Sequence, residues 1–127
     1  MECYFSTRIT DKEEGNGQCS AVLSFSIPEA GIIFRTRFQG SISECEYAAL
    51  LTLLEFVELN PQVFRDRTVE IFGDSFTVVN QINNKMFCGS DLEPFRNLAL
   101  LFRQKFSYSL AWIPQRENPA MGTVSPN

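Results

Sequence analysis

The sequence predicts an α/β domain: a five-stranded mixed sheet, three antiparallel strands plus two parallel ones, flanked by helices in the order β-β-β-α-β-α-α-β. Three observations carry this. The first third of the chain alternates apolar and polar residues with period two. From residue 43 the apolar period becomes helical. The two later strand-like runs are separated by helical stretches, and such crossovers add strands in parallel to an existing sheet. At 127 residues the chain fits one domain able to bury a real core.

Residues 2–9 place Cys3, Phe5, Thr7 and Ile9 on one face and Tyr4, Ser6 and Arg8 on the other. The polar stretch 11–17 is read as a turn. Residues 18–27 give a second strand with Ala21, Leu23, Phe25 and Ile27 on one face. Pro28 to Gly31 turn the chain, and 32–39 give a third strand opposing Phe34 and Phe38 to Arg35 and Arg37. Ser43 followed by Glu46 reads as a capping box. Leu50, Leu53, Leu54 and Val57 follow at helical spacing, and Asn60-Pro61 stops the helix. Residues 68–72 form a short strand ended by Gly73. A second helix runs from Ser75 to about Lys85, carrying Val78, Val79 and Ile82. Asp91 caps a third helix over 92–106, with Leu92, Phe95, Leu98, Leu101 and Phe102 inward. A last strand over 107–113 ends at Pro114. The domain is read as residues 1–119, with 120–127 a loose tail lacking apolar periodicity.

Composition excludes several chemistries. Histidine is absent, so His-based acid–base catalysis, Ser–His–Asp triads and His-containing zinc sites are out. Eleven Lys and Arg face fifteen Asp and Glu, a formal charge of −4. That balance disfavours non-specific duplex DNA binding while leaving room for a local basic patch. No apolar run reaches the roughly 18–20 residues of a membrane span, and the first residues lack a signal peptide's pattern. Cys3, Cys19, Cys45 and Cys88 form no CxxC pair, so reduced, mostly buried thiols in a cytoplasmic protein are expected.

Two carboxylates stand out. Glu46 lies in the first turn of a helix with an apolar inner face. Asp74 lies just past the carboxyl end of a strand, the usual ligand position in an open α/β sheet. Taken alone, Glu46 also fits a capping-box partner and Asp74 a helix-capping acid. Together they are candidates for a hard cation, which takes oxygen ligands.

Three segments resemble one family. Residues 42–54 (ISECEYAALLTLL) are similar to the NEAEY-x-AL-x-x-L helix of type 1 ribonuclease H-like domains. Residues 71–82 (IFGDSFTVVNQI) resemble that family's GDS-x-x-VV-x-QI block. Residues 112–120 (WIPQRENPA) resemble its W-V-P-R-E-x-N-x-x-A-D segment. The element order agrees as well. The resemblance implies a site of four carboxylates that bind two metal ions, Mg or Mn, and cleave the RNA strand of an RNA–DNA hybrid. Carried over by position, the second carboxylate is Glu46 and the third Asp74, the implied catalytic and metal-binding residues. The first falls on Ser6 and the fourth on Met121, so the implied site is degenerate and metal binding weak or absent. A hydroxyl poorly replaces a carboxylate on a hard cation, and a thioether suits soft metals. The family's loop histidine has no counterpart, and its last helix is expected to be shortened. Glu44 and Asp11 are the nearest compensating acids, but Glu44 faces another side of the helix and Asp11 belongs to a turn.

Candidate nucleic-acid contacts are Arg8, Arg35, Arg37, Lys85, Arg96 and Arg116; a solvated face explains the same residues. Phe87 and Trp112 are suited to stack on a base, or to serve the core. Three functions follow. The first is a domain that binds an RNA–DNA hybrid or single strand with weak or lost cleavage. The second is an active Mg-dependent ribonuclease H with a rearranged site. The third is a protein-interaction module on the same fold.

Overall fold

The computed structural model describes residues 1–12, 17–65 and 67–121. The strands are β1 (Glu2–Lys12), β2 (Cys19–Ile27), β3 (Ile32–Gly40), β4 (Val69–Gly73) and β5 (Tyr108–Trp112). The α-helices are α1 (Ile42–Leu59), α2 (Phe76–Ile82) and α3 (Glu93–Leu101). They build one five-stranded sheet in the order β3-β2-β1-β4-β5. β1 to β3 form an antiparallel meander, whereas β1 pairs with β4 and β4 with β5 in parallel. The expected mixed sheet is therefore the observed one. The turn expected over 11–17 lies largely outside the described residues; β1 continues to Lys12 through an irregularity between Ile9 and Asp11.

Period-two alternation divides the sheet into two faces. Cys3 and Phe5 of β1, Leu23 and Phe25 of β2, and Ile71 of β4 are buried with Leu50, Leu53, Leu54 and Val57 of α1. Val78 and Ile82 of α2 and Ala99 of α3 join the same core. All four cysteines are free and buried. The opposite face carries Tyr4, Ser6 and Arg8 of β1 in register with Ser26, Ser24 and Val22 of β2.

Helix boundaries differ from expectation for identifiable reasons. The capping box of α1 is Ser41 with Glu44, not Ser43 with Glu46: Ser41 Oγ accepts the Glu44 amide and Glu44 accepts the Ser41 amide. Both spacings satisfy the same i, i+3 rule; a Cβ at position 40 would stand 2.9 Å from Glu44 Oε1, so Gly40 leaves room for the Glu44 side chain to fold back onto the Ser41 amide. Helix α2 stops at Ile82 because Asn84 takes a left-handed conformation (φ 60°). Its amide reaches Gln81 O and that of Lys85 reaches Asn80 O, closing the last turn. Asp91 does not cap α3: the N-cap residue is Leu92, without a side-chain cap. The helix is shorter than 92–106, and Leu98 and Leu101 are exposed rather than inward. Ala120 and Met121, expected in a loose tail, belong to the domain. Pro119–Met121 form a 3₁₀ turn on the outer face, with Ala120 fully buried. The rest of that tail, 122–127, lies outside the described residues.

A candidate two-carboxylate site

The site forms where β1, β4, α1 and the Pro119–Met121 turn meet. Parallel register sets Phe5 opposite Gly73. A Cβ on Gly73 would stand 2.2 Å from the Phe5 ring, so only glycine lets the end of β4 lie this close to β1. The next residue on each strand is then Asp74 and Ser6. Ser6, 2% exposed, donates from Oγ to Asp74 Oδ2 at 2.8 Å. Met121 Sδ lies 2.8 Å from the same hydroxyl. Ser6 has one proton to give, and the ionised carboxylate is the stronger acceptor.

Asn118 ties the corner together. It is buried; its Nδ2 donates to Phe5 O (2.8 Å) and to Asp74 Oδ2 (3.2 Å), and its Oδ1 accepts the Ala120 amide at 2.9 Å. Asn118 lies within the WIPQRENPA segment, whose motif implies no role for it. An Asn two residues before a buried Ala is the local signal for such a turn clamp.

Glu46, released from capping, projects from α1 and accepts a hydrogen bond from Ser75 Oγ at 3.0 Å. Ser75 also caps α2 by accepting the Val78 amide. One hydroxyl thus connects the acid of α1 to the residue following Asp74. Burial pushes both acids above the ordinary carboxylate range. For Asp74, bonds from Ser6 and Asn118 oppose the rise. For Glu46, the Ser75 bond opposes it and the charge of Asp74 adds to it.

Ser6, Glu46, Asp74 and Met121 are therefore brought to one corner. The two carboxylates are oxygen donors of the kind a hard cation takes, whereas the hydroxyl is a poor ligand for one and the thioether suits soft metals. The four side chains do not fit the four-carboxylate set. Among the described residues no three His, Cys, Asp or Glu side chains gather into a metal-binding cluster. Glu44 is committed to the capping box. Asp11 lies opposite Ser20 near the far end of β1.

The basic residues separate. Arg8, Arg35 and Arg37 share the outer sheet face. Lys85 follows α2, Arg96 donates to Asn97, and Arg116 lies 3.9 Å from Glu117 in another 3₁₀ turn. Neither aromatic weighed for the core is buried: Phe87 is 87% exposed and Trp112 45%. Trp112 sits at the end of β5, donates to Asp74 O at 3.3 Å and meets Phe76 edge-on.

No protein-family profile matches the chain, and no curated protein matches its sequence. Solved structures do. RNase H1 from the halophilic archaeon Halobacterium salinarum superposes with a TM-score of 0.68 at 21% identity, over 94% of this chain and 89% of that one. LC11-RNase H1, solved with an RNA/DNA hybrid, gives 0.72 at 15% identity over 92% and 87%. The N-terminal RNase H domain of a Mycobacterium tuberculosis protein gives 0.67 at 15% identity over 92% and 85%. The fold is ribonuclease H-like.

Proposed function

We propose that this domain binds nucleic acid, an RNA–DNA hybrid or a single strand, with weak or lost metal-dependent RNA cleavage. The observation that carries the reading is the Ser6–Asp74–Met121 contact. Two positions where the resemblance expects carboxylates hold a hydroxyl and a thioether instead, packed against the acid that remains. Binding is supported by the shared fold with LC11-RNase H1, whose structure contains an RNA/DNA hybrid.

In this reading Glu46 and Asp74 hold one Mg²⁺ or Mn²⁺ weakly. A bound cation would polarise a phosphoryl oxygen and lower the pKa of a bound water. The chain's own contribution is positional. Ser75 orients Glu46, while Ser6 and Asn118 orient Asp74, so both carboxylates face one corner, and neither is ion-paired among the described residues. The raised carboxyl pKa values fit acids that await a positive charge.

The test is a labelled RNA–DNA hybrid titrated with the protein in Mg²⁺ and in Mn²⁺, followed by anisotropy and by gel. Saturable binding with cleavage at or near background supports the reading. Efficient cleavage abolished by Asp74→Asn would establish the active alternative instead. Absence of any hybrid or single-strand binding would leave the protein-interaction module. That second reading has one observation in its favour: edge strand β3 exposes Ile33, Phe34 and Phe38. No helix among the described residues is long and apolar enough to cross a membrane.

A further inference from the structure

The outer sheet face carries a feature that the acid pair does not explain. Arg8 on β1 is in register with Val22 on β2, and Val22 with Arg37 on β3. Paired residues in an antiparallel ladder share a face, so two arginines flank one valine. Strand spacing puts their Cα atoms about 10 Å apart. Arg35 stands two residues from Arg37 on the same face, about 7 Å away, opposite Ser24. All three are exposed, and none forms an ion pair among the described residues. Asp11, opposite Ser20 at the end of the same ladder, forms no ion pair with them among the described residues. Between Arg8 and Arg37 lies a shallow groove of about 550 Å³, lined also by Thr10, Ser20 and Phe38. In a chain of net charge −4, three unpaired guanidinium groups on one face are a local reversal of sign.

We infer that this arginine triad is a phosphodiester-backbone site, distinct from the acid pair, along which a nucleic-acid strand runs across the sheet. The inference rests on the reading that the domain binds nucleic acid. Guanidinium forks match phosphate oxygens bidentately, and the Ser20 hydroxyl beside them is a further donor, whereas Thr10 gives its hydroxyl proton to Ser20 O at 3.1 Å. Three cations spread over about 10 Å suit a repeating anion better than a single one. The triad is continuous with the acid pair: Arg8 is two residues past Ser6 on the same strand face, and Ser24 links Ser6 to Arg35 across the ladder. A strand held here is led toward Asp74. The site reads backbone charge and not base identity, so DNA and RNA single strands serve equally.

The experiment uses the full chain and fluorescein-labelled 12-mers: deoxythymidine, uridine, and an abasic backbone of equal charge. Anisotropy is followed from 0.05 to 0.3 M salt. The comparison variant is Arg8→Gln/Arg35→Gln/Arg37→Gln, with Arg65→Gln as a cation control away from the face. Wild type is expected to bind all three oligomers with similar affinity. For three phosphate contacts the triple variant loses roughly 50-fold at 0.15 M salt, and its log–log salt slope falls by about 2. Arg65→Gln stays within twofold. The corresponding triple Lys variant, which keeps the charge, retains the slope; it also guards against misreading a folding defect, which a thermal melt checks directly. An unchanged slope in the Gln variant overturns the site, as does loss of binding to the abasic oligomer. Equal competition by polyglutamate at matched charge also overturns it and points to an acidic protein segment. If wild type binds the hybrid and the Gln variant binds it equally, only the triad fails. If wild type binds neither hybrid nor oligomer, the nucleic-acid reading fails with it.

Discussion

Replacing Ser6 with Asp tests whether the corner is electrostatically coupled. Ser6 Oγ lies 2.8 Å from Asp74 Oδ2, in a position 2% exposed. A carboxylate there faces Asp74 at about 4 Å, where like charges repel by about 4 kcal/mol at an effective dielectric of 20. Protonation offers an escape, at about 1.4 kcal/mol per pH unit above the carboxyl's pKa. The net loss at pH 7 is therefore about 2–4 kcal/mol, a fall in Tm of roughly 8–15 °C for a domain of this size. Ser6→Asn has the same shape without the charge, so the difference between the two variants isolates the electrostatic part. That difference shrinks as pH falls and one carboxyl takes up a proton. It also shrinks in Mg²⁺: a cation at ten times its Kd restores about 1.4 kcal/mol. Thermal melts of Ser6→Asp, Ser6→Asn and wild type, at pH 4 and 7 with Mg²⁺ titrated from zero to saturation, read all of this. Coincident melts of the two variants at pH 7, with no response to Mg²⁺, would refute the coupling.

Three further outcomes follow from the geometry. Burial raises the Asp74 carboxyl's pKa in the folded state, so the fold binds that proton more tightly than the unfolded chain does. Its stabilising effect is complete below the unfolded value and is lost as pH rises through the folded one. Asp74→Asn is accordingly more stable than wild type at pH 7, with the gap closing on acidification; a variant that melts lower at pH 7 contradicts this. Gly73→Ala drives a methyl into the Phe5 ring and costs about 1–3 kcal/mol in urea denaturation. Ser41→Ala costs about 1 kcal/mol as a lost cap, whereas Ser43→Ala is close to neutral, since the box is Ser41 with Glu44. Equal losses at 41 and 43 would count against that assignment.

Much of this was legible in the sequence because periodicity reports burial directly. Alternation in β1 to β3 and the change of period at α1 indicate the element types and the mixed sheet, whereas the strand order β3-β2-β1-β4-β5 is read from the structure. What failed was local competition between equivalent signals. Ser41-x-x-Glu44 and Ser43-x-x-Glu46 obey the same spacing rule, and only the path of the chain leaving β3 decides between them. That choice matters for function, because it frees Glu46 to meet Ser75. The α3 stripe failed for another reason: a nine-residue helix on a small sheet has one face to bury, so Leu98 and Leu101 remain outside. Ser6 and Met121 were located by motif alone. Their meeting over Asp74 is a three-body contact spanning 115 residues of sequence, which no local pattern encodes. The clustering of Arg8 with Arg37 depends on strand register, a property of pairing rather than of either strand.

The central position of β1 has a kinetic consequence. One edge of β1 is covered at once by its hairpin neighbour β2. The other waits for β4, and the contact that closes that edge, Ser6 to Asp74, joins residues 68 apart. The meander and α1 form from nearby segments, but the parallel ladder requires the closure of a long loop and is intrinsically slow. Until then the inner half of the sheet presents a bare strand edge to other chains in the same state. The yield of refolding is then expected to fall as chain concentration rises.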